Sequence, residues 1–347
     1  MSKYYSNINK EIKEYFKILE PNFPEWLNEY IDTKELLFQK YISVTCGTIY
    51  SNLFDNNFFF STLDHSVAVA LIIWHFTQDK KQTLSGLFHD IATPVFKHCV
   101  DFLNGDYMVQ ESTEDLTSEI ITNSNQIMKL LKRDNIQVSE VDNYHLYPIA
   151  DNDTPQLSAD RLEYSLSNAL FIHRLLDFES IKKIYNDIEI QTNENNEIEL
   201  GFKTKEIAKT FVETTSKLSV IYREDRTRYS MQLLADILKK LNYENKITRK
   251  DLYQLKESDV INIIETSKYK NIFNIWKKAT RVKVSKEKPD NVYFVHHGAK
   301  IRYIDPLCNC ERISKCCETA KKMIDKNLSY DMSNYVYLDF DFVDNIF

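Results

Sequence analysis

The stretch His65-Ser66-Val67-Ala68-Val69-Ala70-Leu71-Ile72-Ile73-Trp74-His75-Phe76, followed by Leu84-Ser85-Gly86-Leu87-Phe88-His89-Asp90, decides the fold class. Ser66 to Phe76 is apolar on every side, which predicts a helix packed all round rather than an amphipathic surface helix. It is too short to span a bilayer. Leu84–Phe88 opens a second apolar helix, and both runs abut residues that are costly to bury without a partner.

Outward from this pair the chain reads as mainly α. Residues 1–60 carry helical periodicity at Ile12, Tyr15, Phe16 and Ile18, broken at Pro21 and Pro24. Ile120, Ile121, Ile127, Leu130 and Leu131 predict one helix over about 117–131, and Leu162, Leu166, Leu170 and Leu175 another over about 160–176. The period then changes. Ile188, Ile190, Ile198, Leu200 and Phe202 alternate around Asn193–Asn196, a β-hairpin signal. Helices over about 205–222 and 229–241 follow, with Thr248 and Ser258 as N-caps of two shorter ones. After Pro289, Val292–Val295 and Lys300–Ile304 flank a His296-His297-Gly298-Ala299 turn like a second hairpin. A helix near 314–326 and a strand near 335–342 complete a small α/β extension. The expected organisation is therefore a helical domain over 1–285 and an extension over 286–347.

Composition narrows the chemistry. Only 5 of 347 residues are glycine, so positive-φ turns are scarce and helices with short links are favoured. Neither G-x-G-x-x-G nor G-x-x-x-x-G-K-[ST] occurs, so phosphate chemistry would rest on side chains or metal. A formal charge of −7 disfavours a nucleic-acid binder. The N-terminal residues are unlike a signal peptide and the six cysteines follow no disulfide framework, pointing to a reducing cytoplasm. Cys308-x-Cys310 and Cys316-Cys317 lack the usual zinc spacing and read as ordinary thiols.

The chemistry-bearing constellation is His65 at the head of one apolar helix, His89-Asp90 at the end of another, and Asp160 at the head of a third. Two imidazoles with two carboxylates make a mixed nitrogen and oxygen donor set. It suits one divalent ion (Mn, Fe, Mg, Zn or Co) and leaves positions open for water and phosphate. His75, between Trp74 and Phe76, reads as a core residue, and His145 and His173 belong to no pattern.

Asp64-His65-Ser66-x-x-Val69, then His89-Asp90-Ile91, then Ser158-Ala159-Asp160-Arg161-Leu162-Glu163-Tyr164 together resemble the HD superfamily of metal-dependent phosphohydrolases. Within it they resemble the deoxynucleoside triphosphate triphosphohydrolase (dGTPase-like) branch. Gly47-Thr48-x-Tyr50 is similar to the segment that branch lays against the sugar. His89-Asp90-x-x-x-Pro94-x-Phe96-x-His98-x-x-Asp101 is similar to its extended HD motif. The resemblance covers about residues 40–285. It implies an HD-type helical core with the hairpin near 188–202, and His65, His89, Asp90 and Asp160 as metal ligands. It further implies His98 and Asp101 as a catalytic pair, Glu114 as an acid near the site, and Arg161 and Tyr164 as phosphate and sugar contacts. Lys217, Tyr222, Arg223 and Arg226, on the helices after the hairpin, are candidate substrate contacts. A nucleotide substrate and a homo-oligomer are implied, with no membrane.

The chain departs from the branch in three places. Thr93 and Thr113 stand where histidines are common, and Ser61-Thr62-Leu63 replaces the arginine usually found before the first histidine. Each removes a phosphate or proton-transfer contact. Two alternatives follow: a nucleotidase acting on monophosphates, or a nucleotide-binding sensor without turnover.

Overall fold

The computed structural model describes residues 3–100 and 116–338. Its centre is the helix Thr62–Thr77, in which every residue from Thr62 to Ile73 is buried. A capping box starts it: the Asp64 backbone N–H donates to Ser61 Oγ (3.1 Å), and the Ser61 backbone N–H donates to the Asp64 carboxylate (2.8 Å). This satisfies two of the amides that a helix start leaves over. Gln78, in the left-handed region, ends it, and Asp79 caps the next helix, Lys80–Phe88. The two pack closely because Gly86 faces Ile73 and Val69, where a Cβ would collide with the Ile73 side chain. The helix Ala159–Ser167, capped by Ser158, packs against Thr62–Thr77 from another side. Three helix ends thereby meet at one place.

Mainly α architecture with small β elements is what the apolar patterning called for. A large apolar core surrounds Thr62–Thr77, and a second surrounds the helix Asp225–Tyr243, where Leu234, Ile237 and Leu238 meet Phe96, Phe273 and Trp276. Strands β1 (Ile188–Thr192) and β2 (Ile198–Phe202) form the expected antiparallel hairpin, with Ile190 opposite Leu200. β2 then pairs in parallel with β5 (Leu307–Cys308), which pairs with β6 (Glu311–Arg312), so the C-terminal region extends the hairpin's own sheet. A separate sheet has β7 (Tyr335–Tyr337) between β3 (Lys283–Ser285) and β4 (Phe294–Val295).

Several expectations need correction. The helix expected over 117–131 is two, Thr117–Asn123 and Asn125–Arg133. Ser124 takes an extended conformation between them and caps the second through the Ile127 amide. The helix expected to reach residue 176 passes into a π turn over Asn168–Ile172 and stops there, with His173 as its C-cap and Arg174 beyond it at positive φ. β4 pairs with β7, and residues 300–304 form no strand, so the second hairpin is absent. The helix near 314–326 is split into Ile313–Cys316 and Glu318–Leu328. His75 is on an exposed edge beside Glu20 rather than in the core. Among the described residues no helix is long and apolar enough to cross a membrane.

Candidate metal centre

The three converging helix ends bring His65, His89 and Asp160 together, with one donor atom from each within 4.8 Å of the others. His65 Nε2 lies 3.1 Å from both His89 Nε2 and Asp160 Oδ1, and His89 Nε2 is 3.7 Å from Asp160 Oδ1. Asp90 stands beside them, its Oδ2 3.7 Å from each Nε2. Ligands bound at about 2.1 Å to a common ion stand about 3–4 Å apart, so the spacing fits a divalent cation.

The orientation of the imidazoles fits as well. His89 Nδ1 lies 2.7 Å from the Gly86 carbonyl, which can only accept, so this ring donates there and leaves Nε2 as an acceptor. His65 Nδ1 is bonded by the Glu163 carboxylate. Both rings therefore turn Nε2 inward, the arrangement in which an outer carboxylate or carbonyl fixes a metal-binding histidine. Burial opposes charge on His65, but Glu163 and Asp160 outweigh it and raise the imidazole pKa to about 10. Taking up a cation must displace that proton. Burial likewise opposes ionisation of Asp160, yet the bond from His65 brings its carboxyl down to about 2.

Glu163 and Lys97 contact the cluster directly, and the sequence reading did not nominate them. Glu163 is fully buried and also accepts from Tyr15 Oη (3.2 Å) and Ser167 Oγ (3.3 Å). Its spacing of three from Asp160 places it on nearly the same helix face, which is the signal that could have found it. In Glu163→Gln the fold should persist while metal affinity falls about 10–100-fold. Titration with Mn²⁺ checks this, and unaltered affinity would remove Glu163 from the centre.

Lys97 is buried, and its Nζ lies 2.6 Å from Asp90 Oδ2. Phe96 and Lys97 both have positive φ, costly for residues with a Cβ, and this reversed backbone accompanies the contact with Asp90. Burial disfavours the ammonium, but Asp90 holds its pKa up. Thr93, at a position where the resemblance led one to expect histidine, donates from Oγ1 to Asp90 Oδ1 (3.0 Å).

The centre opens into a cleft of about 930 Å³. His98, Arg161, Tyr164 and Tyr222 line it, as do His145 and His173, which sequence patterning set aside. Arg161 bonds Asn152 and the Gln156 carbonyl. Asp101 and Glu114 lie outside the described residues, as does Thr113. Thr48 reaches the cleft wall, whereas Tyr50 donates to Glu257 (2.7 Å). Gly47 permits this turn: its φ is +79°, and a Cβ there would press on Leu234 and Phe96.

Lys217, Arg223 and Arg226 are not in the cleft lining. Lys217 pairs with Glu213 on an exposed helix face. Arg223 is buried against Asn327, 104 residues further along, and Arg226 bonds Glu224 and the Leu53 carbonyl.

No protein-family model matches the chain. It is similar to the uncharacterized protein YdhJ of Bacillus subtilis (strain 168), with 21% identity over 245 residues, covering 70% of this chain and 72% of that one. The fold is similar to the crystal structure of a hypothetical protein from Aquifex aeolicus. There the TM-score is 0.59 with 16% identity, covering 91% of this chain and 92% of the other. These likenesses support the shared fold.

Proposed function

We propose that this protein is a metal-dependent phosphohydrolase of the HD type acting on nucleotides. The leading reaction is hydrolysis of deoxynucleoside triphosphates to deoxynucleoside and triphosphate. The observation that carries it is the pair of imidazoles, each fixed through Nδ1, presenting Nε2 to Asp160 at ligand spacing at the base of a cleft.

His65, His89 and Asp160 would hold the ion, with Asp90 as fourth ligand once Lys97 yields an oxygen. When bound, a divalent ion supplies polarisation of a phosphoryl oxygen and acidification of water. Water adds to the phosphorus next to the nucleoside, the bond to the 5′ oxygen breaks, and that oxygen takes up a proton. His98, on the cleft wall, is the group assigned to move that proton. Arg161 and Tyr164, which line the cleft, would orient the substrate.

Metal analysis together with a nucleotide panel and product identification tests the reading. Inorganic triphosphate supports it, whereas orthophosphate from monophosphates alone replaces it with a nucleotidase. His98→Ala should keep the metal and lower turnover about 10²–10⁴-fold; undiminished turnover would remove the proton-transfer role. Lys97 favours one second reading, because its ammonium engages an oxygen that a metal would otherwise take. Nucleotide binding with no turnover under Mn²⁺, Mg²⁺, Fe²⁺ or Co²⁺ would make the protein a sensor.

A further inference from the structure

The helices after the hairpin do not supply the cations a phosphate tail needs, since Lys217, Arg223 and Arg226 lie outside the cleft lining. Another segment does line the cleft. Ala299, Lys300, Arg302 and Tyr303 form part of its wall, although they lie far along the chain from the metal centre. We propose that this segment, through Lys300 and Arg302, is the phosphate-recognising wall of the site, binding the anionic tail of a nucleotide. The proposal deepens the phosphohydrolase reading and takes its ligand class from it.

Fixed backbone supports the assignment. Before the segment, the His297 carbonyl accepts from Arg228 Nη1 (2.6 Å), and Arg228 is itself fully buried. Within it, the Arg302 carbonyl accepts from Ser219 Oγ and from Asn327 Nδ2 (3.3 Å). After it, the Asp305 amide donates to the Pro155 carbonyl (2.9 Å). The segment is thus tied to four other parts of the chain without belonging to a sheet among the described residues. Such an arrangement presents side chains at low ordering cost on binding.

The surroundings of Arg302 point to an anion. Tyr164 and Tyr222 both line the cleft beside it, and its charge partly offsets the burial that raises both phenols. The Tyr222 hydroxyl is buried and makes no hydrogen bond among the described residues. A buried hydroxyl in that state is costly, and a phosphate oxygen would accept from it. Arg161 adds a third cation to the wall. Acids line the cleft too, Asp151, Asp153 and Glu197 among them, but Asp151 already faces His145 at 2.8 Å and Arg161 at 3.6 Å. Recognition therefore rests on particular donors rather than on a uniformly positive field.

The test uses the full chain loaded with Mn²⁺ and inorganic tripolyphosphate as the probe, followed by titration calorimetry. Lys300→Ala and Arg302→Ala should each weaken binding about tenfold or more, the usual loss for one charge-assisted contact. Metal content should stay at the wild-type level. Ile301→Ala is the control, because Ile301 is exposed and outside the cleft lining. Lys300→Gln and Arg302→Lys serve if the alanine variants do not fold, and should weaken binding less. On any nucleotide that is turned over, KM should rise by a similar factor with kcat within about threefold. Wild-type affinity in folded Lys300 and Arg302 variants overturns the proposal while leaving the hydrolase reading intact. Tripolyphosphate binding that depends on both residues, with no hydrolysis of any nucleotide, supports the proposal and defeats the hydrolase reading. Failure of the wild-type protein to bind the probe overturns the proposal outright.

Discussion

Asp90→Ala is expected to abolish metal uptake and to lower stability by about 3–5 kcal/mol, the range for breaking one side of a buried ion pair. The second effect comes from Lys97. Its ammonium is buried and paired at 2.6 Å with the carboxylate that the substitution deletes. Burial opposes ionisation of Asp90, but Lys97 and the two imidazoles overcome this and hold the carboxyl far below the usual range. A depressed carboxyl contributes stability that is present in full above the unfolded pKa of about 4 and is lost as pH falls below it. The comparison therefore belongs near pH 7. Urea denaturation and metal analysis give the two readouts. The double variant Asp90→Ala with Lys97→Met should regain most of the stability and none of the metal. Lys97→Met alone should bind metal more tightly than wild type, because a positive charge beside the cation is removed and Asp90 Oδ2 becomes available. If Asp90→Ala denatures at the wild-type urea concentration and keeps its metal, both the pairing and the ligand role are wrong.

The parts of this site that sequence reveals are those where burial and charge conflict within a short span. His65 and His89-Asp90 abut apolar runs with no surface face, so a polar group there had to meet a partner. Asp160 begins a capped helix, and its neighbour Ala159 is buried. Lys97 escaped notice because a lysine in a short irregular segment looks like surface, and only its positive φ and the fold turn it toward Asp90. Arg223 misled for the converse reason. A cation on a helix following the hairpin was expected to face substrate, yet its partner is Asn327, which no local pattern could indicate. Ser124 interrupts a helix inside an unbroken apolar period, since its side chain caps the second half more favourably than it would sit within one continuous helix. Residues 300–304 alternate as a strand would, but lack a pairing neighbour among the described residues. Alternation reports which side chains share a face, not whether the backbone finds a ladder.

Arg312→Met should cost stability on a similar scale and also weaken the proposed phosphate wall. Arg312 binds Glu199 through both arms of the guanidinium, Nη1 to Oε1 at 2.7 Å and Nη2 to Oε2 at 2.8 Å. Its Nε reaches Glu194 at 3.1 Å, and Nη1 also donates to the Asp305 carbonyl at 3.0 Å. Glu199 is fully buried on β2 and Arg312 nearly so on β6, so the substitution leaves a carboxylate in the interior with Asn193 as its remaining donor among the described residues. The expected loss is about 3–5 kcal/mol. Arg312→Lys keeps the charge but loses the fork, and should fall between methionine and wild type. The functional consequence follows from position. Asp305 ends the segment that carries Lys300 and Arg302, and freeing its carbonyl loosens one of that segment's attachments. Tripolyphosphate affinity should therefore drop in Arg312→Met while His65, His89 and Asp160, held by other helices, retain their metal. An unchanged denaturation midpoint would show that the ion pair contributes nothing net. Loss of metal along with tripolyphosphate would show that the C-terminal region supports the whole site rather than its phosphate wall.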